Sequence, residues 1–200
     1  MTIHELLTKR FATKAFDPSK GVSQEDLEYI LEAARLSCSS FNTQPWKIVV
    51  VKSSEVREKL RQAAYGQPQI TDASYLLVLC TVHDPMPRIE TTAAIISQSA
   101  GQESADAYKT MVTGFIPKSP EVLFGWLSRQ VYLALQAMIL AAAERGIDSC
   151  PMEGFQSEAF AQILEITDAK PTALLPIGYA LQPGHPKVRV PMKDIVDIRE

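Results

Sequence analysis

The sequence predicts an α+β fold, with a mostly buried sheet and helices packed around it, on two observations. The runs "WKIVVVK" (46–52) and "YLLVLCT" (75–81) are of strand length, rich in β-branched residues and apolar nearly throughout, as strands covered on both faces are. Helical periodicity and helix caps occur between and beyond them, with strand and helix signals mixed along the chain and no internal repeat.

The elements follow in order. Thr2 with Glu5 is a capping box, which predicts a short first helix ending near Lys9 or Arg10. The turn-rich "FATKAFDPSKG" comes next. Ser23 with Asp26 caps a second helix, in which Leu27, Ile30, Leu31 and Ala34 share one face, ending around Ser37. After the first strand a charged helix is expected near 54–64, then the linker "YGQPQITDAS" and the second strand. Asp84-Pro85 starts one or two helices reaching about 113, and the small, polar "SQSAGQESADAY" within them reads as the flexible excursion of the chain. Ser119-Pro120-Glu121 opens the longest helix, closed by Gly146 and apolar over most of its circumference; such a helix is central to its domain or shared with a partner chain. "IDSC" and "TALLPIGYAL" read as strands around a helix at 157–165. The tail, "QPGHPKVRVPMKDIVDIRE", has three prolines and then an alternating "DIVDI", predicting an extended arm that ends in a strand. Residues 1–200 are read as one domain with a helical excursion at about 85–118.

A net charge of −3 and a pI near 5.7 argue against a nucleic-acid or membrane-surface binder, so any bound anion must meet local basic residues. Three scattered cysteines, Cys38, Cys80 and Cys150, with no CxxC, suggest neither a disulfide framework nor a metal site. His4, His83 and His185 have no ligand spacing. With no apolar leader and no spanning segment in the sequence, the expected location is the cytoplasm.

Arg10 and Lys14 flank the first turn, and Lys187 and Arg189, two apart on an extended chain, point to one side. The pairs can form a phosphate clamp or be solvated surface charges; charge alone favours the latter. No GxGxxG or P-loop cradle is present. In "SCPMEGF" (149–155) a strand end leads into a loop whose backbone N–H groups cannot all pair with the sheet, and Gly154 allows close approach of a flat ligand. Glu153 there is an acid, an orienting carboxylate or a plain surface group. Cys150 is a candidate nucleophile without an apparent His or Asp partner.

Four patches, "RFATKAF", "SSFNTQPW", "PMEGF" and "PKVRVP", occur in the order found in the FMN-dependent nitroreductase family, and the sequence resembles that family from Ile3 to about Pro191. It is most similar to the oxygen-insensitive NAD(P)H nitroreductase and dihydropteridine reductase group. The resemblance implies a central mixed sheet flanked by helices, a homodimer built on the long central helix, a C-terminal arm reaching onto the partner, and FMN held between subunits. By that resemblance Arg10, Phe11, Ala12, Thr13 and Lys14 form the first FMN segment, Arg10 near the phosphate, and Lys187 and Arg189 complete the phosphate clamp. Cys38, Ser39, Ser40 and Asn42 match the segment supplied by the partner subunit. Pro151, Met152, Glu153 and Gly154 match the loop facing flavin N5, where the N–H groups of Glu153 and Gly154 bond. Gln67 and Gln69 fall at the pyrimidine edge. Phe41, Tyr108, Phe115 and Phe124 are substrate-side candidates, with core packing the alternative for the last three.

Two positions depart from the family pattern. Ala12 stands where many relatives carry Ser, and Gln69 where the similar group often carries Lys, which removes a phosphate hydroxyl and a positive charge. The region at about 97–118 has no match to that group. The activity implied is two-electron, ping-pong hydride transfer from NAD(P)H through FMN to a flat nitroaromatic, quinone or related small-molecule acceptor, with no metal and no protein acid or base required. The alternatives are a non-enzymatic flavin carrier, an enone, azo or dehalogenating reductase of the same fold, or a Cys150-dependent enzyme.

Overall fold

The protein is described here by a computed structural model covering residues 1–199. Its sheet has the order β1-β2-β4-β3, with β1 Trp46–Val51, β2 Tyr75–Val82, β3 Asp148–Ser149 and β4 Ala169–Gly178. All neighbouring strands pair antiparallel, so the sheet is not mixed. A parallel contact survives only as the isolated bridge between Ala12 and Ser149.

The side chains of β2 alternate between two cores, which is why its sequence is apolar throughout. Leu77 and Leu79 point into the first, with Leu175 and Ile177 of β4. Helix α2 (Gln24–Arg35) supplies Leu27, Ile30 and Ala34 to it, and the 25-residue α7 (Pro120–Glu144) supplies Val131, Leu135, Met138 and Ala142. Leu76, Val78 and Cys80 point into the second core, with Leu60 of α3 (Ser54–Gln62), Ile70 of α4 (Gln69–Asp72) and Phe160 of α8 (Ser157–Ile163). Strand β1 has the same kind of sequence but lies at the sheet edge, and its residues 47–50 are only half-buried. Composition records affinity for a sheet; it does not record which strand is outermost.

The caps of the first two helices hold in detail, whereas α5 (Met86–Ala100) starts one residue later than read, with Pro85 as its N-cap, and Ser119 makes no side-chain bond to α7. Helix α1 (Ile3–Lys9) opens with the reciprocal Thr2–Glu5 box, and Ser23 Oγ accepts from Asp26 N at 3.0 Å. Helix α7 stops before Gly146, which takes a positive φ of 70°. The expected one or two helices after Asp84-Pro85 are two, α5 and α6 (Gln102–Phe115), which break at Gly101, φ 87°, and pack against each other. Small polar residues at positions facing solvent are compatible with helix once Ala93, Ala105 and Val112 are buried.

Among the described residues the expected C-terminal strand is absent. Residues 181–199 are exposed along their whole length, and a 3₁₀ turn at Met192–Asp194 leads into the alternating segment, which forms no regular structure after it. An alternating pattern makes a strand only where an edge is available to pair with it. Among the described residues no helix is long and apolar enough to cross a membrane.

Candidate functional site

Three segments distant in sequence meet beside the short strand β3. The first is the turn after α1. Thr13 N donates to Ser149 O at 3.2 Å, which lays residues 10–14 along β3. The second is the chain leaving β3: Cys150 N donates to Pro176 O and Met152 exchanges two 2.9 Å bonds with Leu174. Both Cys150 and Met152 are buried, so Pro151 and Glu153 project to the other side. The N–H groups of Glu153 and Gly154 make no hydrogen bond among the described residues. The third is the tail, where Lys187 Nζ donates to Arg10 O at 2.7 Å, a cation on the carbonyl that ends α1. Gly184 lies so close to the ring of Phe11 that any Cβ there would overlap it, which fixes where the tail leaves the core.

Arg10, Lys187 and Arg189 thus share one locality without an ion-paired carboxylate among the described residues. Burial first, then Arg189, lowers the Arg10 pKa, with Cys150 acting against them. Desolvation first, then Arg10 and Arg189, lowers that of Lys187. Arg189 Nη1 reaches no further than the carbonyl of Val188. Arg10 Nε and Nη2, Thr13 Oγ1 and Gln69 Oε1 are all buried without a hydrogen-bond partner, in a protein where such groups are normally satisfied. A site that gathers positive charge and orphaned polar atoms is organised for an anionic, hydrogen-bonding ligand.

Cys150 lies inside this group, its Sγ 3.8 Å from Lys14 Nζ. Burial raises its pKa, against the opposing pull of Lys14, Arg10 and Gln69. It is a neutral, inaccessible thiol, so the nucleophile reading has neither base nor exposure behind it. Gln67 sits at the site in another role than a ligand contact through its amide nitrogen: Nε2 donates to Gly154 O at 2.7 Å and Ala64 O at 3.0 Å. Ala12 is exposed and brings no hydroxyl, as its sequence says.

The segment Cys38–Asn42 lies elsewhere and is built by other partners. Phe41, Asn42 and Gln44 all have positive φ, 53°, 53° and 43°, which non-glycine residues rarely adopt. Surrounding bonds hold this conformation. Ser40 N donates to Gln130 Oε1 at 2.9 Å, Gln44 N to Ser39 Oγ at 3.0 Å, and Gln44 Nε2 to Asn42 Oδ1 at 3.0 Å. Tyr108 donates its hydroxyl to Phe41 O at 2.9 Å. Phe115 stacks on Phe41 at 5.4 Å, and Trp126 lies 6.4 Å from it. Tyr108 and Phe115 therefore do join Phe41, whereas Phe124 instead faces Lys170, 5.7 Å away. Sequence reasoning missed Trp126, Gln130 and Tyr132. They are interleaved with core residues of α7, and only helical spacing from a known site residue could have singled them out.

The sequence model of the nitroreductase family matches residues 7–179. The chain belongs to the nitroreductase family. YfkO of Bacillus subtilis, which bears the name of an NAD(P)H nitroreductase, is 37% identical over 94% of this chain and 92% of its own. Among solved structures, a nitroreductase-like protein of Streptococcus mutans superposes with a TM-score of 0.90 at 27% identity, covering 98% of each chain. A nitroreductase of Exiguobacterium sibiricum, determined in complex with FMN, gives 0.90 at 25% identity, covering all of this chain and 98% of that one.

Proposed function

We propose that the protein is an FMN-dependent NAD(P)H oxidoreductase that reduces flat nitroaromatic or quinone-like acceptors by two-electron, ping-pong turnover, working as a homodimer with FMN at the subunit interface. The observation that carries this reading is the convergence of Arg10, Lys187 and Arg189 on buried, unpartnered polar atoms, next to two free backbone N–H groups. The residues fit FMN: a dianionic phosphate suits the three cations, and a flat ring with a polar edge suits Gln69 Oε1 and the Glu153–Gly154 N–H groups. When bound, FMN supplies hydride acceptance and return at its N5.

The chain's own residues then have separable tasks. Arg10 offers a planar fork to phosphate, while Lys187 adds a point charge already oriented by the Arg10 carbonyl. Thr13 Oγ1 and Gln69 Oε1, buried and unpaired, offer a hydroxyl and an acceptor. Lys14, beside Cys150, keeps positive charge on the site where Gln69 brings none.

The homodimer is supported by what a single chain leaves uncovered. The tail exposes Val188, Val190, Met192, Ile195 and Ile198. A 370 Å³ apolar groove runs between α2 and α7, lined by Tyr29, Ala33, Leu36, Ala137 and Leu140 among others. The Cys38–Asn42 segment has no hydrogen bond to its own chain's cationic group among the described residues, so it is available to a second subunit's site. The aromatic group of Phe41, Phe115 and Trp126 would flank the acceptor there.

The test is steady-state turnover with both NADH and NADPH against a panel of nitroarenes and quinones. Parallel double-reciprocal lines with FMN-loaded protein support the reading. Flavin that binds but never turns over would leave a carrier instead.

A further inference from the structure

The loop bearing the two free N–H groups is fastened from both sides by side chains outside it. Its backbone leaves the sheet after Met152, and the next bond to a distant element is Gln156 N to Ala63 O at 2.8 Å. Between these points the local Phe155 N to Glu153 O bond is the only backbone–backbone bond among the described residues, Phe155 packs on Phe160 at 4.8 Å, and Gly154 adds conformational freedom. Two struts span this gap. Tyr132, from α7, donates its hydroxyl to Glu153 Oε1 at 2.7 Å. Gln67, from the α3–α4 connection, uses both hydrogens of Nε2, one on Gly154 O and one on Ala64 O. Each residue with a free N–H is thus held through a different one of its other atoms.

On the reading of this site as an FMN site, we propose that Tyr132 and Gln67 are positioning residues that aim the Glu153 and Gly154 N–H groups at the cofactor, and that the Glu153 carboxylate is the anchor for Tyr132 rather than a proton donor. Burial, with Glu153 acting in the same direction, pushes the Tyr132 phenol up to about 12, so it remains a donor throughout the neutral range. The Glu153 oxygen that faces α7 is engaged as the acceptor of this bond.

The experiment compares Tyr132→Phe and Gln67→Met with the wild-type protein by three readouts. In protein without FMN, hydrogen exchange at the Phe155 amide is expected to quicken in both variants, with thermal stability nearly unchanged. FMN affinity is expected to fall about three- to tenfold in each, the scale of one ordinary hydrogen bond. The midpoint potential of bound flavin is expected to shift, which loss of a remote packing contact would not cause. Glu153→Gln retains an acceptor for the Tyr132 hydroxyl and should recover most of the FMN affinity lost in Glu153→Ala, while Tyr132→Phe should add nothing to Glu153→Ala. Wild-type FMN affinity and potential in Tyr132→Phe and Gln67→Met overturn the positioning role. Glu153→Gln falling as far as Glu153→Ala overturns the anchor. A wild-type chain that takes up no FMN removes the functional reading and this inference together, whereas uptake without response to Tyr132→Phe or Gln67→Met removes only the inference.

Discussion

Arg10 and Arg189 bring the same guanidinium to one cationic cluster, yet the protein holds them in opposite ways. Arg10 caps a helix, sits against β3 and has two nitrogens buried without partners. Arg189 lies in a tail exposed over residues 181–199 and, among the described residues, bonds only to the carbonyl of Val188. The first half of the clamp is preorganised by the core; the second has only Lys187 and the Gly184–Phe11 contact to locate it. The difference teaches that one half of this cationic cluster is held by the core, while the other is carried on exposed backbone with few contacts of its own.

Removing the tail after Gly184 breaks the comparison most severely. Two charge-assisted contacts, each worth roughly 1.5–3 kcal/mol, go with it, so FMN retention on gel filtration should be abolished while the far-UV circular dichroism of the core persists. Arg10→Met should weaken FMN binding by one such contact, roughly 1.5–3 kcal/mol by fluorescence titration. Its second signature has the opposite sign: without FMN, the melting temperature should stay level or rise, because an unpartnered, partly buried charge has been removed. Arg189→Ala should match the affinity loss but leave cofactor-free stability unchanged. Smaller still, Glu165→Gly relieves one exposed left-handed non-glycine residue just after α8, φ 54°, and should stabilise the protein by about 0.5–1 kcal/mol in denaturant titration. Iodoacetamide at neutral pH should spare Cys150 and Cys80 in the folded protein, since both are buried and their thiol pKa values are raised, Cys80 to about 12. Mass spectrometry before and after unfolding reads this directly.

Much of this was legible in the sequence, because caps, periodicity and turn residues act locally. Thr2–Glu5, Ser23–Asp26 and the span of α7 all follow from residues within a turn or two of each end. Strand placement was less legible: β4 runs Ala169–Gly178 rather than over 172–181, and strand rank was hidden, since β1 and β2 read alike and only the assembled sheet makes one central and one an edge. The tail misled because "DIVDI" states a pattern without stating a partner. In the site, Arg10, Lys187 and Gln69 were visible through their charge and motif context. Tyr132 was not, since its phenol is joined to Glu153 across 21 residues by a helix face that carries no motif. Gln67 was visible but its task was not, because a primary amide serves equally as ligand contact and as strut until its partners are known.

The central claim, that the half-built clamp and the 151–154 loop hold a redox-active FMN, is tested most directly by anaerobic titration of the purified, FMN-loaded protein with NADH and NADPH. The account predicts stoichiometric bleaching of the flavin absorbance and its return on adding a nitroarene or quinone. Protein that stays colourless after incubation with FMN, or bound flavin that neither nucleotide bleaches, would contradict it.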